Sequence, residues 1–227
     1  MNKMDLPVPL TDSERNFGFR YLLFSLVFLG PILSLLLGNL ETVYLDTAYF
    51  LSNFLAVFLI FRRFLLGSLG VGVSSLGKVL PAVALALIAY FSATWALDVL
   101  YCHIMPGFFN VNDASIYASG LERPWLTALG TVILVPIAEE TLYRGLVFGS
   151  IHTKNRTAAY MISSLLFCYI HIVAYIGIFD LPVLLLCFLQ YLPAGLALAW
   201  CYEFSGSILA PVLVHTAVNA IAMLTMR

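Results

Sequence analysis

Seven stretches of mostly apolar residues, each long enough to cross a lipid bilayer, divide this chain: 21–37, 44–61, 79–101, 124–148, 158–178, 181–201 and 208–226. About 20 apolar residues in helical form span the hydrocarbon core of a bilayer. Each stretch is continuous, without the period-two alternation of a half-buried strand. A segment in lipid must satisfy its backbone N–H and C=O groups internally, which a helix does by itself. The expectation is an all-α fold, a polytopic transmembrane helical bundle of about seven spans. Composition agrees, since 62% of the 227 residues are hydrophobic and 10% are charged, where a soluble domain carries about 25% charged residues. So few charges could not cover a surface in water. With a net charge of −1, nothing points to a nucleic-acid partner. The lipid bilayer is the expected surrounding, and the cell (plasma) membrane the expected location.

The basic residues orient the bundle, because cytoplasmic loops carry an excess of Lys and Arg. With seven spans, Lys3, Arg15, Arg20, Arg62, Arg63, Lys78, Lys154 and Arg156 share one side, while the other receives Arg123 and Arg227. The bias places the N-terminus in the cytoplasm. Residues 1–20 read as a polar leader, a solvated tail rather than an interfacial helix, ahead of a single transmembrane domain, 21–227. The first apolar stretch has no small-residue cleavage site after it and reads as a retained helix. Cys102, Cys168, Cys187 and Cys201 have neither the spacing of a disulfide framework nor that of a zinc site, and read as packing residues.

The fourth stretch contains charges that lipid should exclude: Glu139-Glu140-Thr141-Leu142-Tyr143-Arg144. A charge at the centre of a membrane helix costs about 2.5–3.5 kcal/mol. Glu140 and Arg144 are spaced i,i+4 on one helix face and can pair. Glu139, rotated about 100° from Glu140, is left over. Pro136 should loosen the helix just before them and free backbone carbonyls. The fifth stretch holds His171, and the seventh holds His215 and Asn219 one turn apart. Polar groups in lipid are costly unless they meet each other, so these are expected to converge on one cavity. Asn53 and Gln190 read instead as inter-helix hydrogen-bonding groups.

A Glu, two His and an Asn in such a cavity suit activation of a water molecule. The carboxylate would serve as general base, a His would hold the water or the carboxylate, and a His–Asn pair would donate to an oxyanion. The reaction class is peptide-bond hydrolysis without a covalent enzyme intermediate. No His-Glu-x-x-His motif, Gly-x-Ser-x-Gly elbow or Gly-x-Gly-Asp signature occurs. Two His and one carboxylate are also a known zinc ligand set, so a zinc-dependent protease using Glu139, His171 and His215 stays open. So does a binding or scaffold protein that uses the cluster for packing. A proton-coupled transporter is disfavoured, because the chain has neither an inverted repeat nor a pair of broken helices.

Three motifs in order, Glu139-Glu140-x-x-x-Arg144, Phe167-x-x-x-His171 and His215-x-x-x-Asn219, resemble those of the CPBP family. These are CAAX-processing and bacteriocin-processing membrane proteins, including the Rce1-type glutamic intramembrane proteases. The stretch Ser205-Gly206-Ser207-Ile208-Leu209-Ala210-Pro211 is similar to the family's lead-in to its last motif, and the resemblance covers about residues 124–222. It implies a membrane endopeptidase, without cofactor or metal, acting on a membrane-anchored protein or peptide. Glu139 would be the general base and His171 would orient water or the base. His215 and Asn219 would form the oxyanion hole, with Glu140, Arg144 and Phe167 in support. Members of the family also serve as immunity proteins or membrane scaffolds.

Overall fold

The computed structural model describes residues 6–225, so Lys3 and Arg227, both counted in the charge asymmetry, and the end of the seventh apolar stretch lie outside the described residues. Within them the chain is helical, with no strand: α1 (Asp12–Leu37), α2 (Thr42–Ser74), α3 (Leu76–Ile104), α4 (Val111–Glu122), α5 (Pro124–His152), α6 (Arg156–Ile170), α7 (Leu181–Ser205) and α8 (Leu209–Thr225). Five of these (α1, α2, α3, α5 and α7) are long and apolar enough to cross a membrane. The apolar α6 and α8 are shorter, at 15 and 17 residues.

Half of the most apolar part of α5 is buried inside the bundle, against 6–28% for the other four long helices, so α5 is the central element. The others present most of their apolar surface outward, as a bundle solvated by lipid must. Around α5, helix α7 lies against α3 and α6, and α8 lies against α3, α5 and α7.

Four features depart from the sequence-based expectations, each for a local reason. Helix α2 does not stop at Phe61 but runs on through Arg62 and Arg63 to Ser74, with a kink at Phe61 (φ −109°, ψ 15°). The Phe64 N–H bonds outside the helix, to Glu14 Oε1 at 3.1 Å. That contact explains the second departure. The leader is no solvated tail: Thr11 caps α1 in a capping box with Glu14, and the buried Glu14 carboxylate also accepts from Arg63 Nε at 3.2 Å. Leu6, Val8 and Leu10 pack against the core beside it.

The third departure is α6, which ends at Ile170, well short of residue 178. His171 is its C-cap, and the imidazole Nδ1–H donates to the Phe167 carbonyl at 2.7 Å, satisfying one of the carbonyls that a helix end leaves free. The fourth is α4, a helix between the third and fourth apolar stretches, where no apolar run announces one. Asn110 caps it, its side chain accepting the N–H groups of Asn112 and Asp113 at 3.0 and 3.3 Å.

The Ser205-Gly206-Ser207 turn joins α7 to α8. Gly206 takes a left-handed conformation (φ 69°) as C-cap of α7, which glycine adopts at no steric cost. Ser207 Oγ then donates to the Ser68 carbonyl at 2.6 Å, and Ser68 Oγ accepts the Ile208 N–H at 2.8 Å. The turn therefore fastens α8 to α2. Asn53 and Gln190 are inter-helix hydrogen-bonding groups: Tyr21 donates to Asn53 at 2.7 Å, and Gln190 bonds Asn110 and Asp98 at 2.9 and 3.0 Å.

Candidate active site

The backbone of α5 is irregular where the chemistry is concentrated. Residues Leu129–Leu134 form a π turn, in which the Val135 N–H reaches back five residues to the Gly130 carbonyl. The next two carbonyls, Thr131 and Val132, would look to Pro136 in the π and α registers respectively, and proline has no N–H to give. Helix α8 supplies both missing donors. Asn219 Nδ2 donates to the Thr131 carbonyl at 2.7 Å, and Thr216 Oγ1 to the Val132 carbonyl at 2.9 Å. Pro136 thus creates the two acceptors that dock α8, and it commits one of the two Asn219 N–H groups.

One turn further on, Glu140 and Arg144 pair at 3.1 Å with both side chains fully shielded from solvent. Each is held by more than the other. Arg144 Nη2 donates to the Gly195 carbonyl of α7 at 3.1 Å, and its guanidinium lies 4.4 Å from the centre of the Phe167 ring. Glu140 Oε1 accepts a second donor, His215 Nδ1, at 2.8 Å. Four helices, α5 to α8, meet in this network. Gly145 matters here too, because a Cβ on it would come within 2.7 Å of the Phe64 ring packed against α5.

These bonds fix what the two histidines offer. A carbonyl or carboxylate can only accept, so each imidazole carries its proton on Nδ1, toward Phe167 O in His171 and toward Glu140 in His215. Nε2 is the free nitrogen of both rings. His171, His215, Asn219 and Phe167 line one cavity of about 100 Å³. A polar cavity of that size admits water.

Glu139 differs from its neighbour. Glu140 holds two donors on Oε1, whereas the half-buried Glu139 makes no side-chain hydrogen bond among the described residues; each carboxylate keeps a buried Oε2 without a partner. His215, Arg144 and Tyr49 lie within electrostatic reach of it. The cavity brings together His171, His215, Asn219 and Phe167, but Glu139 is not among the residues that line it. His171 stands at a helix end rather than deep within one, as its position in the fifth apolar stretch had suggested. Among the described residues no group of three His, Cys, Asp or Glu side chains is placed to hold a metal ion.

Two residues of the cavity wall were not singled out from sequence. Tyr191 of α7 stacks on His171 with ring centres 4.0 Å apart, and its hydroxyl donates to Asp113 of α4 at 2.7 Å. Only the Asn110-x-x-Asp113 pattern, an N-cap followed by an acid in the first turn, hinted at a helix there. A second polar cluster lies at the other end of the bundle. Glu203 accepts from His152, Arg156 and Tyr160 at 2.6–2.8 Å, tying the ends of α5, α6 and α7 together.

Comparison with known proteins picks out the same half of the chain. Residues 121–221 match the family model described as type II CAAX prenyl endopeptidase Rce1-like. This segment is similar to that family. The matched segment begins at the end of α4, runs into α8, and contains Glu139, Glu140, Arg144, Phe167, His171, His215 and Asn219. Over 87 residues the chain is 34% identical to UPF0177 protein YxdF of Lactococcus lactis subsp. lactis (strain IL1403), a stretch covering 38% of this chain and 42% of that protein. The match therefore spans less than half of that relative, and it is in keeping with the resemblance to the CPBP motifs. No solved structure matches the chain.

Proposed function

We propose that this integral membrane protein is a glutamic-type intramembrane endopeptidase, hydrolysing a peptide bond of a membrane-anchored protein or peptide, with the cell membrane as its location. The observation that carries the reading is the contrast between the two adjacent carboxylates. Glu140 accepts from both Arg144 and His215 through Oε1, while Glu139 accepts from no donor among the described residues. A carboxylate kept free in a low-dielectric site is suited to take a proton from water.

In this mechanism the His171 Nε2 lone pair orients the water, since its other nitrogen is committed to Phe167. Glu139 removes a proton as the water oxygen attacks the scissile carbonyl carbon. The oxyanion accepts the second Asn219 N–H. It also accepts the Nε2–H of His215 when that ring is an imidazolium, because a neutral ring with its proton toward Glu140 has only a lone pair there. The C–N bond then breaks, and the proton held by Glu139 passes to the leaving nitrogen. The products are a carboxylic acid and an amine, and the acid's proton then passes to the amine to give carboxylate and ammonium.

The test is Glu139→Gln in detergent-solubilised protein assayed on membrane-anchored peptides. Cleavage should vanish while the melting profile is kept, and cleavage at the wild-type rate would overturn the proposal. One observation favours a second reading. Glu139 stands outside the cavity lining, and the Glu140–Arg144–His215 network welds four helices, as a non-proteolytic membrane scaffold or immunity-type protein would use it. In that case Glu139→Gln leaves biological function intact while Arg144 substitutions unfold the protein.

A further inference from the structure

We infer that Tyr191, held in place by Asp113 of α4, is a positioning residue that fixes the imidazole of His171 with Nε2 turned to the cavity. The inference rests on the proposed role of His171 in orienting water. It adds a second support, from a part of the chain that lies outside the three motifs.

The geometry is a chain of contacts leading from α4 to the imidazole. Asp113 Oδ1 accepts the Tyr191 hydroxyl at 2.7 Å, and Asn112 Nδ2 donates to the same hydroxyl oxygen at 3.0 Å. The hydroxyl is therefore gripped from two sides by consecutive residues of the first turn of α4. That turn is itself ordered by the Asn110 cap, and Asn110 is anchored to α7 through Gln190 at 2.9 Å. With its hydroxyl fixed, the Tyr191 ring lies nearly parallel to His171, at 4.0 Å and 28°. Phe167 flanks His171 as well, at 4.6 Å and a tilt of 52°.

His171 needs such support because of where it sits. It is the C-cap of α6, followed by a short 3-10 turn (Val173–Tyr175) rather than by continuing α-helix. A single hydrogen bond to the Phe167 carbonyl leaves the imidazole free to rotate about χ2 when that bond breaks, and rotation would exchange the nitrogen facing the cavity. A ring stacked on one face blocks that rotation. A tyrosine without its hydroxyl anchor could swing away together with the imidazole, so the α4 contacts are part of the device and not an ornament on it. Asp113, Tyr191 and His171 all line the cavity. The end of α4 is thus a lip of the site rather than a distant loop.

The test uses a readout independent of cleavage. The chain has four histidines, so ring-15N-labelled protein in detergent gives few enough signals to assign by substitution. Wild type should show His171 as a single Nδ1–H tautomer. Tyr191→Leu and Asp113→Ala should average or invert the two ring-nitrogen signals of His171. Asp113→Asn, whose amide oxygen can still accept the Tyr191 hydroxyl, should restore them. Tyr101→Phe removes a hydrogen bond between α3 and the Leu186 carbonyl of α7 without touching His171, and should leave them alone. An unchanged His171 tautomer and linewidth in folded Tyr191→Leu would overturn the inference, as would equal disturbance by Tyr101→Phe.

In cleavage assays the same order should appear, with Tyr191→Leu and Asp113→Ala lowering kcat at least tenfold at nearly constant KM, and Asp113→Asn rescuing it. The two proposals fail separately. Wild-type cleavage by Glu139→Gln sinks the mechanism and leaves the tautomer result standing. A dead Glu139→Gln with wild-type kcat and tautomer in Tyr191→Leu sinks the positioning role alone.

Discussion

Replacing Arg144 by Met keeps most of its volume and removes its charge, and the consequences can be worked through contact by contact. Glu140 would keep its His215 donor but lose the cation 3.1 Å away, in a place with no solvent exposure. Breaking a buried pair by removing one partner costs about 3–5 kcal/mol, because the remaining charge is left uncompensated. The Gly195 carbonyl loses its donor, and the guanidinium no longer lies over Phe167. Those losses share atoms with the first and do not simply add. An expected destabilisation of about 4 kcal/mol corresponds to nearly a thousandfold in the unfolding equilibrium. The double variant Glu140→Gln/Arg144→Met removes both charges and should recover more than half of that loss. Reversible unfolding in mixed micelles, followed by tryptophan fluorescence, measures all three proteins. A loss below about 1 kcal/mol in Arg144→Met, the range of an exposed pair, would refute the claim that this ion pair is structural and dry.

Three further outcomes follow from the same contacts. Asn219→Ala should reduce kcat by about 100-fold to 1,000-fold, the usual effect of losing one oxyanion donor, and steady-state kinetics on any cleaved peptide checks it. Glu14→Ala should leave the Phe64 N–H unpaired at the α2 kink, at a cost of about 1–3 kcal/mol, and should make Arg15 and Arg20 markedly more sensitive to trypsin; unchanged proteolysis would contradict the clamp. Cys102 is exposed while the other three cysteines are buried, so a membrane-impermeant maleimide should label Cys102 alone. With a cytoplasmic N-terminus that labelling occurs on intact cells; labelling only after lysis would reverse the assigned orientation.

What could be read from the sequence was what local periodicity encodes. Long apolar runs gave the helices, because lipid leaves the backbone no alternative. The Glu140–Arg144 pair was legible because i,i+4 spacing is a property of one helix. The failures were tertiary. Arg62 and Arg63 look like a helix end until Glu14, some fifty residues away, is seen to accept both the Arg63 guanidinium and the Phe64 N–H. The end of α6 was hidden because the residues after His171 stay apolar while turning. That His215 bonds Glu140 through Nδ1, and so exposes Nε2, depends on how α8 packs on α5. The stack of Tyr191 on His171 joins α7 to the end of α6, and no pattern within either segment announces it.

The most direct test of the central claim compares wild type with Glu139→Gln on membrane-anchored C-terminal peptides, each with and without a strong zinc chelator. The account predicts cleavage by wild type that the chelator does not affect, and no cleavage by a folded Glu139→Gln. Cleavage by Glu139→Gln at the wild-type rate would contradict it, and loss of wild-type activity on chelation would assign these residues to a metal instead.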